Sequence, residues 1–209
     1  MEEMSVTKAL AELKLLDKRI NKEISNLDAI TTAKKGCKKI DGMQTEEEFI
    51  ETAKNQYKSI LDLIERRKEI KAAIVESNAK TILNVAGIEM TRAEAIERKD
   101  SIQYEIDLLN RMKDNYNKTI STYNYKNEEV QEKLNNLLEI SLGKEGNRKA
   151  SKEDIENISA PFLEQNEWKI IDPLNIKGAI EALEKDIDNF LSEVDFVLSE
   201  SNTITKIKI

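Results

Sequence analysis

Glu76, Ser77, Asn78 and Thr81 recur as Glu200, Ser201, Asn202 and Thr205, each residue finding its counterpart 124 positions on. The full pattern is Glu-Ser-Asn-x-x-Thr-x-[Leu/Ile]-x-[Val/Ile], written over 76–85 and 200–209. Between the copies stands Thr91-Arg92-Ala93-Glu94, a capping-box spacing that opens a helix, with Arg98 and Lys99 at or just beyond its first turn. Hydroxyls, amides and guanidinium groups gathered in one place recognise anions, because their N–H and O–H donors suit phosphate oxygens. A helix start adds unpaired backbone amides. If the fold brings the copies together, Asn78, Thr81, Arg92, Arg98, Asn202 and Thr205 converge on a phosphorylated ligand. The competing reading of the motif is structural: a helix C-cap whose Asn takes the left-handed conformation.

Little else can do chemistry. The chain has no His and a single Cys, Cys37. That excludes an internal disulfide, a structural zinc set and a Ser-His-Asp or Cys-His nucleophile within one chain. Glu94 and Glu97 resemble an acid–base pair, but a capping Glu and a solvated Glu in a first helical turn are the ordinary explanation. Tyr104, Tyr116, Tyr123 and Tyr125 can stack a base, yet tyrosines at helical spacing usually pack half-buried. No catalytic residue, metal ligand or cofactor is expected, and the protein is read as a non-enzyme.

Composition restricts the partners. Of 209 residues, 35% are charged and only 5% aromatic, with 6 Gly and 2 Pro, the balance of long solvated helices. A net charge of −7 opposes general nucleic-acid binding, which requires cations to displace phosphate counterions. No apolar run is long enough to span a bilayer, and Met-Glu-Glu-Met lacks a signal-peptide layout. A cytosolic protein away from nucleic acid and membrane is expected.

The elements that must position the motif follow from hydrophobic period. The fold class expected is mainly α: an antiparallel bundle of long helices in a single domain, 1–209, with an internal repeat over about 60–85 and 184–209. Val6, Leu10, Leu13, Leu16, Ile20, Ile24, Leu27 and Ile30 predict a first helix over about 5–33. Lysines and glycines over 34–42 make a loop. Thr45 with Glu48 opens a second helix that runs to the first Glu-Ser-Asn. Residues 81–85 alternate and 88–90 return across Ala86-Gly87 as a hairpin. A third helix starts at Thr91, with a break or kink expected near Tyr123-Asn124-Tyr125. Residues 143–147 form a turn, Ser151 with Asp154 opens a short helix, and Trp168–Ile171 is a strand or an extended cover over the bundle. Asp172-Pro173 begins the last helix. The alternating segment 205–209 cannot stand alone and is expected to pair with 81–85, with 88–90 as a third strand. The long third helix leaves apolar stripes that a second copy of the chain can cover, so a homo-oligomer is expected.

The segment Glu76-Ser77-Asn78-x-x-Thr81, then Gly87, then Thr91-x-Ala93-Glu94-Ala95-Ile96-x-Arg98-Lys99, with Val194-Asp195-x-Val197-Leu198-Ser199-Glu200-Ser201-Asn202, resembles small helical prophage proteins sometimes labelled septicolysin-like. The resemblance spans roughly 65–209 and carries no defined activity. In kind, the chain is also similar to the phage proteins called Tad, Sequestin and Lockin, which sequester nucleotide immune signals. These resemblances imply a phage-encoded protein in the host cytoplasm, oligomeric and non-enzymatic, that binds a phosphorylated nucleotide. The alternative is a structural or assembly protein of a phage particle acting through helix contacts.

Overall fold

The structure, a computed structural model, describes residues 2–40, 43–143 and 151–209. The chain is mainly α, as its composition predicts. Strand β1 (Glu3–Ser5) leads into helix α1 (Val6–Ser25), and helix α2 (Glu46–Lys80) leads into strand β2 (Ile82–Val85). Strand β3 (Ile88–Thr91) then opens helix α3 (Arg92–Leu142), followed by α4 (Lys152–Asn166), α5 (Ile176–Ile204) and strand β4 (Lys206–Lys208). The capping boxes are formed as expected. Thr45 and Glu48 exchange side chain-to-backbone bonds of 2.8 and 3.2 Å, and Thr91–Glu94 and Ser151–Asp154 do the same. Each box satisfies amides that a first helical turn leaves without partners.

Two compact units divide the chain, 2–100 with 189–209 and 101–188. In the first, α1 and α2 pack on each other with β4 along them. Their core is Val6, Ala9, Leu13, Leu16 and Ile20 from α1, Ile70 and Ile74 from α2, and Met4 and Ile207 from the strands. Arg66 pairs with Glu12, and Arg67 with Asp17, at the margin of this core. In the second unit the buried residues include Ile102, Leu109, Val130 and Leu134 of α3 and Ile180 and Ile187 of α5, and Lys113 pairs with Glu184.

The structure corrects several expectations. The C-terminal segment does not join the hairpin: β4 pairs antiparallel with β1, Ile207 opposite Met4, while β2 pairs only with β3. Two two-stranded ladders therefore replace the single three-stranded sheet. The N-terminal residues supply the missing partner strand, which was concealed because 3–5 is too short to show alternation. Helix α1 stops at Ser25, since Ile24 and Ile30 are exposed and have no core to join. Helix α3 passes through Tyr123-Asn124-Tyr125 without a break, because the local propensity cost of such residues is below about 0.7 kcal/mol each. Helices α2 and α5 carry on through both Glu-Ser-Asn motifs, so Asn78 and Asn202 are helical and not left-handed caps. The last helix begins at Ile176, not beside Pro173. Asp172 accepts the Ile176 N–H across the intervening turn, where Asn175 adopts φ 50°. The turn expected over 143–147 includes Gly143, and the loop over 34–42 is seen through Lys39. Residues 41–42 and 144–147 of these segments lie outside the described residues.

Candidate functional site

Helix α2 ends with the Thr81 N–H donating to Ser77 O at 2.9 Å, and α5 ends with the Thr205 N–H donating to Ser201 O at 2.9 Å. The correspondence continues into the strands. Thr81 O accepts from Arg92 N at 2.8 Å, where β3 turns into α3; Thr205 O accepts from Val6 N at 3.0 Å, where β1 turns into α1. A helix–strand–strand–helix unit is thus built twice, once through the Ala86-Gly87 turn and once across the two chain ends. Glu2 and Ile209 complete the second ladder with reciprocal bonds of 3.0 Å. The sequence signal for this is Glu89-Met90-Thr91 against Glu3-Met4-Ser5, with the fully buried Ala95 and Ala9 at the same distance into each helix.

Arg92 closes the two copies. Its side chain is 0% exposed, and its guanidinium reaches both repeats. Nε donates to Ser201 Oγ at 3.2 Å, and NH1 donates to Ser77 Oγ at 3.2 Å and Asn78 Oδ1 at 3.3 Å. NH2 donates to Ser201 Oγ and Thr205 Oγ1, both at 2.6 Å, and to Ser201 O at 3.4 Å. Burial pushes its pKa below the usual arginine value, but an arginine remains protonated at physiological pH. Among the described residues its partners are all neutral, with no carboxylate. A buried cation without a counter-ion is costly, and here it is held by hydroxyl, amide and carbonyl oxygens alone.

Those hydroxyls matter beyond the clasp. An oxygen that accepts from a guanidinium keeps its own proton to donate, polarised by the cation behind it. Ser77 and Thr205, with Thr81, line a cleft of about 360 Å³ that also carries Lys80, Lys206 and Lys208. Lys80 pairs with Glu76 and Lys206 with Glu3 at 3.6 Å. The cleft therefore combines O–H donors, three ammonium groups and the single carboxylate of Glu76 beside a buried positive charge.

The sequence-derived site residues divide accordingly. Asn78, Thr81, Arg92 and Thr205 meet at the clasp. Arg98 lies on the Phe190 ring, 4.5 Å from its centroid, and Asn202 lines a different cleft with Lys14, Lys99 and Asp195. Arg92, although it opens α3, is fully buried. Ser77 and Ser201 of the repeated motif, outside the six residues expected on the ligand, also belong with the site; a serine repeated inside two helices, where serine is disfavoured, is the signal for them. Glu94 is the capping residue: two bonds from Thr91 hold its carboxyl below the usual carboxylate range. Among the described residues no group of three or more potential ligands can hold a metal ion, and no helix is long and apolar enough to cross a membrane.

Comparison with known proteins gives no match, whether to a family model, a curated protein or a solved structure.

Proposed function

We propose that this chain binds a phosphorylated small molecule, a nucleotide in the first instance, and holds it without turnover. The observation that carries the reading is the buried Arg92 guanidinium with only neutral partners, standing behind a cleft edged by Lys80, Lys206 and Lys208. An anion in that cleft supplies the negative charge that the clasp lacks. The likeness in kind to phage signal-sequestering proteins suggests the finer form of the proposal, sequestration of a nucleotide-type immune signal in a host cytoplasm by an oligomer.

Melting temperature in the presence of nucleotides and of inorganic phosphate tests this. A ligand bound only by the native state stabilises it by mass action, about 2.7 kcal/mol at a hundredfold excess over Kd. The expected result is a concentration-dependent rise that Lys206→Glu with Lys208→Glu diminishes for nucleotides and abolishes for inorganic phosphate, the ligand being recovered intact after denaturation. No rise with any phosphorylated ligand would overturn the proposal, and recovery of a cleaved nucleotide would make the protein an enzyme.

A structural role through helix contacts is favoured by a different observation. Leu15, Phe196 and Ile204 are among the large apolar side chains in contact with water. Such surface suits coverage by further copies, and light scattering that reports a monomer would count against it.

A further inference from the structure

A second place in the molecule has the makings of a ligand site, and it lies in the other unit. Helix α3 presents Lys118, Thr119, Thr122, Tyr123 and Lys126 to the extended segment after α4, which contributes Trp168 to Ile171. The spacing i, i+1, i+4, i+5, i+8 places the five helical residues on one face. Together they enclose a groove of about 350 Å³, within the size range of small-molecule sites.

The extended segment is fixed by one side chain. Asn127 Oδ1 accepts from Trp168 N at 2.9 Å, and Asn127 Nδ2 donates to Trp168 O at 3.2 Å. The amide thus satisfies both backbone groups of Trp168, as a neighbouring strand would, and sets the position of the indole. The ring is not used as a core residue: Trp168 is 51% exposed. Lys126 lies above it, Nζ 4.9 Å from the ring centroid, so that an ammonium is held at the aromatic surface.

Charge decides what the groove accepts. In a chain of net charge −7, this lining carries Lys118, Lys126 and Lys169 and no acidic residue. Glu164 and Glu167 line the neighbouring cleft, which shares Tyr123, Trp168, Lys169 and Ile170 with this one, so an anionic group is favoured on the side of Lys118 and Lys126. Indole, phenol and the Ile170 and Ile171 side chains provide flat apolar surface beside those ammonium groups. We infer that this groove binds a planar aromatic anion of mononucleotide size, its ring against Trp168 and Tyr123 and its phosphate among Lys118, Lys126 and Lys169. The site is separate from the Arg92 cleft and does not rest on it.

Trp168 is the only tryptophan in the chain, so its fluorescence reports on this groove and the adjoining cleft that shares it, and not on the Arg92 cleft. The full-length protein is titrated with adenosine monophosphate, with adenosine and with inorganic phosphate. The expected result is saturable quenching by the nucleotide, with adenosine at least about tenfold weaker because it lacks the charge-assisted contacts. Inorganic phosphate, lacking a ring to stack, should leave the signal unchanged. Lys118→Glu and Lys169→Glu, both on the surface, should weaken the nucleotide by about tenfold or more at unchanged melting temperature. Lys206→Glu in the other unit should leave the quenching intact, which separates failure here from failure of the Arg92 cleft. Absence of saturable quenching, equal binding of adenosine, or quenching that survives both charge reversals would overturn the inference. So would a signal that changes with protein concentration alone, which would assign the groove to contact between copies.

Discussion

Arg92 shows how much one side chain can be asked to join. Its guanidinium is shared between Ser77 and Asn78 of one repeat and Ser201 and Thr205 of the other, and the equivalent position in the second copy is Val6, itself buried. A second cation there would compete for the same acceptors, so the two copies had to differ at this point. Arg92→Ala should lower stability by about 1–3 kcal/mol, since the half-buried oxygens of Ser77, Asn78, Ser201 and Thr205 lose their shared donor. Arg92→Lys should not restore it, because an ammonium lacks the fork that reaches both serines at once. Arg92→Glu, which would bury a carboxylate among acceptor oxygens, should fail to fold. Denaturant midpoints give the first two costs, and an Arg92→Ala variant as stable as the parent would deny the clasp its structural part.

At the scale of elements, the two ladders differ in how they are closed. Ile82–Thr91 turns through Ala86 at φ 54° and Gly87 at φ 82°, the pair of positive angles that a type I′ hairpin requires. Asn84 Oδ1 accepts the Gly87 N–H at 3.0 Å, and Glu193 of α5 accepts the Ala86 N–H at 2.8 Å. Alanine is a poor occupant of a left-handed position and glycine a good one. Ala86→Gly should therefore raise stability by up to about 1 kcal/mol, and Gly87→Ala should lower it by about 1 kcal/mol. Thermal melts of the two variants moving in the same direction would contradict this account of the turn. Matching positions also carry different chemistry: Arg66 of α2 meets Glu12 of α1, and at the corresponding positions Phe190 of α5 meets Arg98 of α3, an ion pair in one case and a cation over a ring in the other.

For the whole molecule, the second ladder joins residues from opposite ends of the chain. Glu2 and Ile209 are bonded to each other in both directions at 3.0 Å, in the place that the Val85–Ile88 pair beside the Ala86-Gly87 turn occupies in the other copy. A permuted chain, with 209 joined to 1 through a short glycine linker and new ends at Ala86-Gly87, should keep the fold, because the same strand pairs and the same Arg92 clasp are retained. Circular dichroism and melting temperature check it, with a loss of no more than the hairpin turn contributes. Collapse of the permutant would mean that chain continuity at Ala86-Gly87 is needed for the clasp to form.

Much of this could be read from residue order alone. Period-three-and-four apolar stripes, capping boxes at Thr45, Thr91 and Ser151, and the Ala86-Gly87 turn are local features, and each depends on neighbours within a few positions. The repeat of Glu-Ser-Asn-x-x-Thr was equally visible, and with it the prospect that Asn78, Thr81, Arg92 and Thr205 meet. What the sequence could not convey was which segments lie side by side. Glu3–Ser5 is too short to announce a strand, so the partner of Lys206–Lys208 is visible only in the folded chain, where Met4 and Ile207 share the core of α1 and α2. The same is true of Arg92: its capping-box position suggests an exposed first turn, and only the closure of two helix ends around it puts the guanidinium in the interior. Trp168 likewise gained its groove from Asn127, 41 positions away, a distance over which burial and hydrogen bonding, not local preference, decide the arrangement.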